Sequence, residues 1–148
     1  MLFRSAVIRL EEALTLALTH ADEPAAMRMG AMVGQLRLVQ GMQAHAIPYL
    51  HDALRRAEGL DDTLAIVTLT SLISGLQLCA EDWSSARVTA QTQLRAAKKR
   101  GNWMAVADGF ITLSTCALKL GITKEAVRVL VEGHDEMNGV AQIGRAHV

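Results

Sequence analysis

The groups through which this chain could do chemistry are few and scattered. His45 and His51 stand six residues apart, which on a helix places them on different faces and argues against shared metal ligation. His20 and His134 fall near helix ends, where solvation or capping accounts for them. Glu11-Glu12 and Asp61-Asp62 are adjacent pairs, and neighbours on a helix face apart, so neither makes an acid–base dyad. Cys79 and Cys116 belong to no CxxC or Cys/His pair. Both fall in apolar stripes and read as buried, small hydrophobic residues of a reducing compartment, with nothing nearby to depress a thiol pKa. P-loop, GxSxG and HExxH patterns do not occur. These residues predict no catalytic centre, no metal and no cofactor; a helical enzyme domain is the least favoured class. Lys98-Lys99-Arg100, the one basic run, reads as a solvated helix terminus. Trp83 and Trp103 each open a helix and are expected to wedge between stacked units, with an exposed aromatic hot spot as the alternative.

Composition narrows the classes further. The chain has 148 residues, with 15 Lys+Arg against 15 Asp+Glu, 51% hydrophobic and only 3% aromatic residues. That length suits one domain able to bury about 68–70% of its unfolded surface. Zero net charge removes the electrostatic footprint of a nucleic-acid binder and the polybasic route to a membrane. High apolar content rules out disorder, and the Ala/Leu-rich, Val- and aromatic-poor composition points to helix over strand. Thr63 to Ala80 runs eighteen residues without a charge, but six of them are Thr, Ser or Gln and its flanks are acidic, so a buried helix is expected and not a membrane span. Arg4, Arg9, Glu11 and Glu12 interrupt any secretory h-region, and a cytoplasmic location is expected.

The elements that must position any site come from an internal repeat. A shift of 40 residues aligns the chain with itself: Ala6, Ala46, Ala86 and Ala126 share a column, as do Leu10, Leu50, Ala90 and Leu130, and Ala17, Ala57 and Ala97. Val33, Ile73 and Leu113 align, followed by Gly34, Ser74 and Ser114, and by Leu38, Leu78 and Leu118. A fixed period of this length signals stacked repeats. Within a unit, Ala46, Leu50, Ala53, Leu54 and Ala57 step by three and four, which draws one apolar stripe on a helix. Asp22, Asp61-Asp62, Asp82 and Asn102 are N-cap candidates, and Gly41, Gly59, Gly101 and Gly121 mark helix ends. The pattern predicts helices near 4–19, 24–40, 43–58, 62–80, 83–100, 103–119 and 123–135, then an irregular tail, with Pro48 bending the start of the third helix.

This arrangement resembles the tetratricopeptide repeat over residues 6–135. Ile73-Ser74 stand at the family's Leu-Gly pair, Asp82-Trp83 at the turn into the second helix and Ala86 at its most constant alanine. Gly34 keeps the family's glycine, and Phe110 an aromatic position. The period is 40 where the family has about 34, and the other aromatic positions hold Gly30, Thr70, Arg37 and Gln77. Long-period relatives of this kind are common in bacterial signalling and regulatory proteins. The resemblance implies an all-α, right-handed solenoid of antiparallel helix pairs: about seven helices, a half unit at 6–22 and units at 23–61, 62–101 and 102–137.

The family binds extended peptides or partner helices in a concave groove. Carried over by position, that groove shows Arg28, Ala31 and Gln35, then Thr68, Ser71 and Gly75, then Asp108, Ile111 and Thr115. The Lys and Asn residues that clamp a peptide carboxylate in some relatives are absent there. The implied function is a protein–protein interaction scaffold whose partner is an uncharged or amphipathic protein or peptide. The alternative is the ligand-sensing arm of a larger transcription regulator or signalling ATPase. Residues 1–5 and 143–148 read as translations of the two ends of a sequencing adapter, which predicts that 6–142 is a slice of a longer protein. Self-association through apolar end helices is then expected.

Overall fold

The computed structural model of the chain describes residues 2–146, and side chains over residues 5–141. Of the two adapter-like stretches, only Ser5 therefore has a described side chain. Among the described residues every element is an α-helix: α1 (Leu2–Thr19), α2 (Glu23–Val39), α3 (Gln43–Gly59), α4 (Thr63–Cys79), α5 (Trp83–Arg100), α6 (Trp103–Lys119) and α7 (Thr123–Ala146). From α2 onward each helix begins twenty residues after the last, so the 40-residue period consists of two helix-plus-link units.

The links repeat too. A left-handed residue recurs at Ala21, Gly41, Asp61, Glu81, Gly101 and Gly121, with φ between 52° and 76°. The next amide donates back five residues, from Asp22 to the Ala17 carbonyl at 2.9 Å, from Met42 to Arg37 at 2.8 Å, and likewise at every link. This satisfies the last carbonyls of the outgoing helix. The same residue caps the incoming one: the Asp22, Asp62, Asp82 and Asn102 side chains each accept from the amide three residues on, at 3.0 to 3.2 Å. Gly59 does end α3, but Asp61 takes the left-handed conformation.

Two expectations fail. Residues 136–146 are helical, not irregular, as α7 continues to Ala146. Lys98 holds Glu136 at 2.5 Å, and Gly133 and Met137 lie beside Phe110 of α6, so tertiary contacts override the Asn138 and Gly139 that weaken the helix locally. Cys79 is exposed at the end of α4, while Cys116 is buried. Pro48 sits inside α3 without ending it.

The chain forms two compact units, Met1–Leu69 and Thr70–Val148, with the division inside α4. In the first, α2 packs against α1 and α3. Gly30 stands opposite Ala53, and Gly34 opposite Leu50, so α2 and α3 run antiparallel. Glu11 on α1 accepts from Arg37 Nη2 at 2.7 Å and from the Tyr49 hydroxyl at 3.2 Å, tying α1 to both α2 and α3. Arg56 on α3 pairs with Asp52 at 2.7 Å and with Glu23 on α2. In the second unit α6 packs against α5 and α7. Arg87–Glu125 at 2.7 Å and Lys98–Glu136 join α5 to α7. Helices two apart in sequence are thus neighbours in both units. The column Ala26, Ala46, Ile66, Ala86, Val106 and Ala126 is buried throughout, and its four alanines allow close helix approach.

Candidate functional site

The first unit carries a pocket of about 350 Å³ formed by α2 and the first turns of α4. Helical spacing explains its α2 wall: Arg28, Ala31, Met32 and Gln35 step by three and four along one stripe. On α4, Leu64, Ala65 and Thr68 do the same. Met27 and Leu69 are buried and make the apolar floor, whereas Met32 and Leu64 are large apolar side chains left about half exposed at 46% and 51%. Arg28, Gln35 and Thr68 are exposed and make the polar rim.

The rim groups differ in how far they are committed. The Thr68 hydroxyl donates to the Leu64 carbonyl of its own helix at 3.0 Å. Asp62 also borders the pocket, but its carboxylate accepts from the Ala65 amide at 3.0 Å as the α4 N-cap. Arg28 makes no ion pair among the described residues. The site is therefore an open apolar patch with one unengaged cation and one amide at its edge. Such an arrangement can hold apolar side chains and orient them through a few polar contacts. Methionines at 27 and 32 suit it to ligands of varied shape, because the unbranched thioether repacks easily.

Of the residues carried over to a groove, Arg28, Ala31, Gln35 and Thr68 come together here. Ser71 is exposed and Gly75 half-buried on the later turns of α4. On α6, Asp108 is exposed, Thr115 half-buried and Ile111 exposed at 59%. Ile111 borders a smaller apolar pocket of about 170 Å³ with Phe110, Leu130, Gly133 and Met137. Met27, Met32, Leu64, Ala65 and Leu69 were not anticipated. Met32 lies one turn from Arg28, and Leu64 one turn from Thr68, so a full stripe drawn through the carried-over positions would have included both.

Chemically reactive groups stand apart from this pocket. Burial pushes the Cys116 thiol up, opposed only by the charge of Arg87. Burial also works against ionisation of Asp52, yet hydrogen bonds from Arg56 and Arg55 outweigh it and hold its carboxyl below the usual carboxylate range. His20, His45, His51 and His134 are exposed, the last within 3.3 Å of Asp135. Among the described residues no three His, Cys, Asp or Glu side chains are placed to hold a metal ion. Nor is any helix of the described residues long and apolar enough to cross a membrane. Trp83 is half-buried with Lys119 Nζ 5.4 Å from its ring centre, whereas Trp103 is exposed at 38%. No protein-family model matches the chain, and no curated protein matches it.

Proposed function

We propose that the chain is a helical-repeat interaction module of the tetratricopeptide type, its helix pairs stacked as a right-handed solenoid, whose α2–α4 face receives a peptide or helix of a protein partner. One observation supports this above the rest: residues far apart in sequence, Arg28 to Gln35 and Leu64 to Thr68, line one pocket with an apolar floor and a polar rim. The Gly34–Leu50 contact adds support for the repeat type, since the small residue sits at a close helix crossing. A peptide library displayed on phage tests the reading. Peptides selected by the wild-type protein should lose binding to Thr68→Trp and to Gln35→Trp, two exposed positions where an indole fills the pocket without disturbing the core. Equal binding to both variants would remove the face from consideration.

A second reading, the ligand-sensing arm of a larger regulator, is favoured by pocket size. About 350 Å³ falls within the range of small-molecule sites, about 300–1,000 Å³. Stabilisation by a small metabolite that is abolished by Thr68→Trp would select this reading over the first.

A further inference from the structure

We infer that the α2–α4 pocket takes an amphipathic segment in which an acidic residue flanks the apolar anchor side chains, its carboxylate paired with Arg28. The inference rests on the interaction reading above and names the class of partner. Charge complementarity carries it. Two charged side chains border the pocket, Arg28 and Asp62. Asp62 is partly buried and already spends its carboxylate on the Ala65 amide. Arg28 is exposed, has no acidic partner among the described residues, and projects from the same stripe as Ala31, Met32 and Gln35. The other cations of α2 and α3 are engaged: Arg37 by Glu11, Arg55 by Asp52, and Arg56 by Asp52 and Glu23.

The two lining charges balance, as they do over the whole chain, but the one left without a partner among the described residues is the Arg28 guanidinium. A guanidinium presents a planar fork of donors that fits a carboxylate with two parallel hydrogen bonds. The Met27–Leu69 floor supplies the apolar contact that gives binding its energy, and Arg28 supplies register and charge preference. An acidic residue one helical turn from a leucine or methionine meets both demands, because side chains three or four apart share a helix face.

Two capped helical peptides with the same leucine stripe, one carrying glutamate beside it and the other lysine, are the probes. Fluorescence anisotropy with the full chain should show the glutamate peptide binding at least about threefold tighter at low salt, with the preference shrinking as salt rises. In Arg28→Glu the order of the two peptides should reverse. Arg28→Lys should keep the order, as it retains the charge. Equal affinities for both peptides, blocked by Thr68→Trp, would overturn the acidic class and leave the interaction face standing. Binding of neither peptide would overturn the inference, and Thr68→Trp-insensitive binding would overturn the interaction reading with it.

Discussion

Leu50 of α3 occupies the space that a side chain at Gly34 of α2 would need: a Cβ there would stand 2.7 Å from Leu50 Cδ2 and 3.4 Å from the Ala46 carbonyl oxygen. Leu50 is fully buried, so it has no open space to turn into. The glycine is a packing residue, and its lower helix propensity is the cost of bringing the two backbones together.

The same substitution should therefore have opposite signs at two glycines. Gly34→Ala forces Leu50 aside and is expected to destabilise by about 1–3 kcal/mol. Gly75 has no atom within 4 Å of where its Cβ would be, so Gly75→Ala should stabilise by about 0.5–1 kcal/mol through helix propensity. Urea denaturation midpoints of the two variants settle it, and two shifts of the same sign would contradict the crossing geometry.

Helix links offer a second test. Ala21 and Glu81 hold φ of 52° and 57°, a conformation disfavoured by a Cβ that three equivalent links avoid by using glycine. Ala21→Gly and Glu81→Gly relieve that strain, partly offset by the extra freedom of glycine in the unfolded chain. Each should raise stability by about 0.5–1 kcal/mol, with additive effects in the double variant. A fall in the thermal midpoint of both would argue against the recurring left-handed position.

Tyr49 is the single tyrosine of the chain, so an ultraviolet titration reads it directly. Burial first, and then the charge and hydrogen bond of Glu11, push its phenol above its ordinary value of 10.0. A raised folded pKa means that its stabilising contribution is complete below pH 10 and is lost as pH rises through the folded value. Glu11→Gln should bring the titration midpoint back down. It should also cost about 1 kcal/mol, since a neutral amide oxygen is a weaker acceptor for Arg37 than the carboxylate, and the Arg37 Nε is already buried without a partner. An unchanged midpoint in Glu11→Gln would place the Tyr49–Glu11 hydrogen bond in doubt.

Much of the architecture was legible because its determinants are local. Asp22, Asp82 and Asn102 cap the helix that follows them through an amide three residues away, a contact that needs no knowledge of the rest of the fold. Ala46, Ala86 and Ala126 announced a repeated close approach, and all three are fully buried. The half-period of twenty residues was harder to see. Paired helices present different side chains to the core, so Ala26 and Ile66 share burial with Ala46 and Ala86 without sharing a pattern of residue types around them.

What the sequence determined by itself is the succession of helices and links, since helical periodicity and cap chemistry act over a few residues. It also marked Arg28, Ala31, Gln35 and Thr68, which the pocket joins. Only tertiary structure decided which apolar residues complete that pocket, because Met27 and Leu69 belong to the floor through contacts between helices forty residues apart. It likewise separated Cys79 from Cys116, made Glu11 the meeting point of three helices and carried α7 past residue 135. In each case the deciding term is burial or charge pairing with a distant segment, and nothing in the neighbouring residues encodes which segment will arrive.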